Sequence, residues 1–153
     1  MEFSRIRGTE DKLDLTLFNF CTQIIEKHLL KNNFSEISTP ILEQTKLFAR
    51  SLGQETDVVS KEMYTIDTKT EGSICLRPEA TASVMRAYLE NHVDQKPWKV
   101  FSTGPMFRHE RPQKGRFRQF HQVNIEAIDA HSFLHDVRFI KTLCDIFQDL
   151  GID

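Results

Sequence analysis

Residues 98–129 read WKVFSTGPMFRHERPQKGRFRQFHQVNIEAID, and the fold turns on them. From Trp98 to Asp129 the pattern has period two, broken only by the polar tip RPQKG, which predicts a long antiparallel hairpin. Side chains alternate across a strand, so each parity of the returning strand shares a face. The odd positions Phe117, Gln119, His121, Val123, Ile125 and Ala127 are mostly apolar and are the expected core face. The even positions Arg116, Arg118, Phe120, Gln122, Asn124 and Glu126 are mostly polar, and Arg108 and Glu110 share one parity of the outgoing strand.

One side of an antiparallel sheet is often simply solvated, which is the plainest reading of the even face. Two details oppose it. Phe120 stands among charges, where a solvated face gains nothing from an aromatic ring, and Gly104, Pro105 and Gly115 permit unusual backbone approach. A flat ring beside guanidiniums suits a nucleotide, because adenine offers faces for stacking and phosphates accept paired N–H donors. Arginine supplies those donors without losing its charge.

Outward from this hairpin the periodicity changes. Leu13, Leu17, Phe20, Cys21, Ile24, Ile25 and His28 fall three and four apart, which predicts an amphipathic helix over 11–31, ended by Asn32 and Asn33. Residues 34–43 are rich in β-formers and read as a strand whose Pro40 marks an edge. A short helix over 44–52 follows. Strands at 62–66 and 73–77 flank a polar connection whose Gly72 can take positive φ, which predicts a second hairpin. Pro78 suits the first turn of a helix reaching about Asn91, and Ser132 can cap a final helix, 133–150, closed by Gly151. Helices around antiparallel hairpins give an α+β class, with an antiparallel β-sheet flanked by helices.

The chain has 153 residues, 39% hydrophobic and 10% aromatic, enough for one core, and length argues for a single domain. No apolar run approaches the ~20 residues of a membrane span, and the start, MEFSRIRGTED, lacks the apolar section of a signal peptide. A cytoplasmic protein is expected. Net charge is −2, which excludes a general polyanion binder, yet Arg108, Arg111, Lys114, Arg116 and Arg118 concentrate basic charge locally. Cys21, Cys75 and Cys144 are too dispersed for a zinc knuckle and read as small buried hydrophobes. His109 and His121 lack partners at ligand spacing, so packed histidines are expected rather than a metal site.

TGPMFRHERPQKGRFRQFHQVNIE, residues 103–126, resembles motif two of the class II aminoacyl-tRNA synthetases in the form typical of histidyl-tRNA synthetases. The resemblance extends to LRPEATA at 76–82, EQTKLFARSLGQETDVVSKEMYTI at 43–66, IRGTED at 6–11, and FSEISTPILE at 34–43, which is similar to motif one. It implies an N-terminal portion, 1–153, of a synthetase catalytic domain, without motif three or the anticodon-binding domain.

It also implies roles. Arg108 contacts the α-phosphate of ATP and steadies the charge that builds there; Glu110 lies near the adenine amino group, Arg116 reaches the outer phosphates, and Phe120 stacks on the base. Glu79, Thr81 and Gln122 surround the α-amino group of histidine, and Glu126 accepts from its imidazole. Mg²⁺ accompanies ATP, the tRNA for histidine is the second substrate, and the region around Pro40 pairs two copies in a homodimer.

From the residues alone, Glu79 could equally serve the helix dipole, Thr81 could be helix surface, and Pro40 could be an edge-strand proline. Ala80 stands where the family usually has glycine, and Phe117 where it has tyrosine. A regulatory, synthetase-like sensor of histidine or tRNA is the competing reading, disfavoured because a sensor need not keep Arg108, Glu110, Arg116 and Phe120 together. A plain RNA-binding domain explains neither Gln122 nor Glu126.

Overall fold

A computed structural model describes residues 3–152. The long hairpin is present as strands β5 (Trp98–Phe107) and β6 (Gln119–Ile128), with an isolated bridge between Gln113 and Arg116 at its tip. The shorter hairpin is β3 (Tyr64–Thr68) and β4 (Gly72–Leu76), with Gly72 at φ 74. Helix α2 (Thr45–Leu52) and helix α4 (Phe133–Asp149) also lie where the periodicity predicts them. Ser132 caps α4, its Oγ accepting from the Leu134 amide at 3.3 Å. A π-helical turn, Val58–Glu62, has no counterpart in the expected elements.

Residues 34–43 do not form one strand. They divide into β1 (Ser35–Glu36), which pairs in parallel with β5, and β2 (Leu42–Gln44), which pairs antiparallel with β4. Thr39 and Pro40 lie between them. Proline has no amide to donate, and Thr39 gives its carbonyl and hydroxyl oxygens to Arg77 Nη1 at 2.9 and 3.0 Å. One three-stranded sheet is therefore mixed, in the order β1-β5-β6, and the other is antiparallel, in the order β2-β4-β3.

Two helices start later than expected. Helix α1 (Thr16–Lys31) begins after Asp14, whose Oδ1 accepts from the Thr16 amide at 2.8 Å. Helix α3 (Thr81–Glu90) begins after Pro78, because the Glu79 carboxylate accepts from the amides of Thr81 and Ala82.

Burial on β6 is shared between its faces and not confined to the expected odd one, on which Val123, Ile125 and Ala127 are half-buried. Gln119 and His121 on the odd face are exposed, whereas Asn124 on the even face is buried and Phe120, Gln122 and Glu126 are half-buried. Part of the polar face is enclosed, because Asn124 Oδ1 accepts from Thr81 Oγ1 and Arg108 Nε donates to the Pro78 carbonyl. The cysteines also diverge from expectation: Cys75 is buried, Cys21 half-buried and Cys144 exposed. Cys144 lies on the outward side of α4, opposite the buried Thr142 and Ile146.

The chain groups into two compact units. One comprises the residues up to Asp11, Ser38–His92 and Ser102–Asn124. Its core is Phe48, Cys75 and Ala82, with Leu47, Leu52, Val59 and Met63 packed around them. The other comprises Lys12–Ile37, Val93–Phe101 and the residues from Ile125 onward. There Leu29, Phe34, Val100, Phe101 and Ile146 are buried, and the rings of Phe34 and Phe139 meet edge to face at 6.2 Å.

Candidate active site

The hairpin tip in the first unit is tied down by its backbone. The Arg108 amide donates to the Arg118 carbonyl at 2.9 Å, one residue past the end of β5. The Arg118 amide donates to the Gly8 carbonyl, and the His109 amide to the Glu62 carbonyl, both at 2.7 Å. Gly8 has φ 87, and a Cβ there would press on the side chains of Arg118 and Pro112. That explains a glycine in IRGTED: the segment lies against the base of the tip at a conformation other residues adopt poorly.

On this frame Arg108 is held from several sides. Its Nε donates to the Pro78 carbonyl at 2.9 Å, and its guanidinium lies over the Phe120 ring, 5.3 Å from the centroid. Glu110 stands between two arginines, 3.8 Å from Arg108 and 3.6 Å from Arg116. The Glu110 side chain is only 17% exposed, so these charges interact where water screens them incompletely. Arg108, Glu110, Arg116 and Phe120, with Glu62, Gly115, Phe117 and His121, line an open cavity of about 550 Å³. That is the size range of small-molecule sites, and the wall combines guanidiniums with an aromatic face.

Glu79 and Thr81 stand at the start of α3, and Gln122 lies on β6. The Glu79 oxygens receive the Thr81 amide at 2.5 Å and the Ala82 amide at 3.0 Å, so the capping role open from the sequence is one it performs. A carboxylate offers about four acceptor sites, and these two bonds leave capacity for a ligand donor. Thr81 Oγ1 donates to Asn124 Oδ1 at 3.4 Å. Gln122 Oε1 is buried and has no hydrogen-bond partner among the described residues. A buried acceptor left open is costly unless something fills it. Glu126 is half-buried on β6 in the second unit.

His109 and His121 are exposed rather than packed, with the His109 ring edge-on to Tyr64 at 5.5 Å. Among the described residues no three His, Cys, Asp or Glu side chains are grouped to hold a metal ion.

Four contributors escape sequence reasoning: Glu62, Gly8, the Pro78 carbonyl and Asn124. Glu62 is one of 22 acidic residues with no local pattern, and Gly8 and Pro78 act through carbonyl oxygens, which composition does not reveal. Asn124 shares the parity of Phe120 and Gln122, a signal that was present.

Residues 64–153 match the family model described as the tRNA synthetase class II core domain (G, H, P, S and T). The chain belongs to that family. Over its whole length it is 44% identical to the histidine–tRNA ligase of Pelobacter propionicus, spanning 38% of that protein. Its structure is similar to that of S. aureus histidyl-tRNA synthetase, with a TM-score of 0.79 and 34% identity, covering 97% of this chain and 35% of the other. A Bacillus halodurans structure titled as an ATP phosphoribosyltransferase regulatory subunit/histidyl-tRNA synthetase gives a TM-score of 0.81 over all of this chain and 39% of its own, at 17% identity. At that identity the likeness shows the class II fold alone. Among the described residues no helix of this class II chain is long and apolar enough to cross a membrane.

Proposed function

We propose that this chain forms the ATP- and histidine-gripping part of a histidine–tRNA ligase. The observation that carries the reading is the cavity in which Arg108 lies over Phe120 while Glu110 bridges Arg108 and Arg116. Its chemistry fits adenine and phosphates together, and the 44% identity to a histidine–tRNA ligase supports the choice of amino acid.

In this reading the adenine stacks on Phe120, Glu110 accepts from its amino group, and Arg116 holds the outer phosphates. The histidine carboxylate attacks the α-phosphorus, and pyrophosphate leaves. Arg108 meets the negative charge that develops on the α-phosphoryl oxygens, which is electrostatic stabilisation by a donor already in place. Pro78 matters here because its carbonyl fixes Arg108 Nε and leaves the terminal nitrogens to face the substrate. Gln122 Oε1 and the Glu79 carboxylate accept from the histidine α-amino group with Thr81 beside them; for Glu126, the imidazole contact rests on the resemblance to motif two alone. The second step transfers histidine to the terminal ribose of its tRNA.

Mg²⁺ characteristically binds through one or two carboxylates together with phosphate oxygens and waters. Two carboxylates, Glu62 and Glu110, line the cavity, a donor set that fits a Mg²⁺ arriving on the triphosphate. The ion would supply charge neutralisation on the phosphates. Pro40 is exposed and lines an open cavity of about 710 Å³ with Leu47, Glu43 and Arg86, a surface suited to the pairing of two copies. A cytoplasmic location accords with work on tRNA.

The test is histidine-dependent exchange of pyrophosphate into ATP, measured on the natural protein that carries this chain. Exchange that requires histidine and falls steeply in Arg108→Ala supports the reading. A folded protein without such exchange overturns it. The 153-residue chain by itself should bind ATP or histidine weakly and show almost no exchange.

A further inference from the structure

A second cavity, of about 170 Å³, lies wholly within the second unit. Its wall carries Lys31 from the end of α1, Lys99 from β5, and His135 and Arg138 from the first turns of α4, with the rings of Phe34 and Phe139. Among the described residues no aspartate or glutamate lines it. Lys99 is half-buried, lies over the Phe34 ring at 4.3 Å, and donates to the Asn32 carbonyl. An ammonium has three donors, so this one bond leaves donor capacity towards the cavity. Among the described residues Arg138 and Lys31 make no ion pair or side-chain hydrogen bond, and Asp145, the acid that feels the charge of Lys31, is held by Lys141 at 2.6 Å. Burial, and then the charge of Arg138, pull the Lys99 ammonium below the ordinary lysine range.

Like charges gathered around a concave, partly desolvated surface without a counter-ion raise one another's energy, and an anion relieves all of them together. A guanidinium with free N–H groups and two ammoniums are donors for a tetrahedral oxyanion, and the α4 N-terminus adds partial positive charge beside His135. We propose that Lys31, Lys99, His135 and Arg138 form a binding site for a phosphate group, separate from the cavity at Arg108. The phosphate can come from a free anion or from a nucleic-acid backbone. Phe34 and Phe139 make the floor apolar, which strengthens each charged contact by excluding water.

The experiment is a titration of the 153-residue chain followed by amide and side-chain NMR shifts. One arm uses inorganic phosphate, another a single-stranded RNA dodecamer, and a control uses sodium chloride at matched ionic strength. The expected result is saturable movement of Lys99, Arg138 and Phe139 signals with phosphate but not with chloride. Arg138→Gln, an exposed position, should weaken binding by about fivefold, the scale of one partly screened charge contact. Lys31→Gln, also exposed, serves as the second variant. Tighter binding of the dodecamer, in competition with phosphate, assigns the site to a nucleic-acid backbone; binding of phosphate alone assigns it to a free anion. Shifts that match the chloride control, or that persist unchanged in both variants, overturn the proposal. Because every residue lies outside the Arg108 cavity, failure here leaves the ligase reading untouched.

Discussion

The Arg108 guanidinium sits 5.3 Å from the Phe120 ring centroid and is fixed from behind by the Pro78 carbonyl. Each orients the other: the ring gives the guanidinium a plane to lie on, and the carbonyl sets which nitrogen faces away. Phe120→Leu keeps bulk but removes the aromatic face, and should weaken ATP binding about tenfold, the scale of one base stack. Equilibrium dialysis with labelled ATP reads this directly, with a melting curve showing that the fold is kept.

Arg108→Lys should not recover the lost exchange activity of Arg108→Ala. A lysine keeps the charge but cannot stack flat on Phe120, donate to Pro78 and reach a phosphate at once. The expected loss of transition-state stabilisation for Arg108→Ala is about 2.7–4 kcal/mol, that of an oxyanion-hole donor. Rates at saturating ATP and histidine measure it.

Glu79 ties two amides at the start of α3, so its replacement tests helix stability separately from the proposed histidine contact. Glu79→Ala should cost about 0.5–2 kcal/mol in urea unfolding, in the range of a lost helix cap. Glu79→Gln retains an acceptor oxygen and should recover part of that stability while histidine affinity stays low. Unchanged stability in both variants would show that the cap is irrelevant.

Much of this architecture was legible from local pattern. The alternation of 98–129, Gly72 between 62–66 and 73–77, and the Ser132 cap each encode an element through neighbours in sequence. The division at Pro40 was half visible, because proline forbids a continuous ladder, but the choice of β5 for Ser35 and β4 for Leu42 depends on residues distant in sequence. The partial enclosure of the polar face of β6 has a physical cause as well. Polar residues usually seek water, yet Asn124 accepts from Thr81 and Arg108 donates to the Pro78 carbonyl, and parity cannot report that. The roles proposed for Arg108, Glu110, Arg116 and Phe120 come from the resemblance to motif two, and their shared parity accords with it; the capping role of Glu79 stays undecided in the sequence, since a carboxylate serves either use.

Gly104 allows Arg77 to pass beneath the strand, where its Nε donates to the Pro105 carbonyl at 3.1 Å. A Cβ at position 104 would overlap the Arg77 guanidinium. Gly104→Ala should therefore destabilise by about 1–3 kcal/mol, as overpacking does. Thermal unfolding of the variant checks it, and an unchanged midpoint would mean that Arg77 moves aside freely.

Burial raises the Cys75 thiol from 9.0 to about 11, with Thr45 opposing and Glu43 adding to the shift. Its neutral form is favoured in the folded state, so its contribution is intact below pH 9.0 and is lost as pH rises towards about 11. Across that window the unfolded thiol ionises while the folded one does not, and stability falls. Cys75→Ala should flatten this part of the pH–stability curve, measured by urea unfolding. At pH 8 a thiol reagent should label the exposed Cys144 quickly and Cys75 only on unfolding.

Ser35 and Glu36 find their ladder partners, Val100 and Phe101, far along the sequence, whereas β3 and β4 meet across a short turn. Closing the first of these contacts carries the larger loop entropy and brings only two residue pairs. Refolding should thus raise the hairpins early and seat the Ser35 segment late, which makes that edge the step that sets the pace.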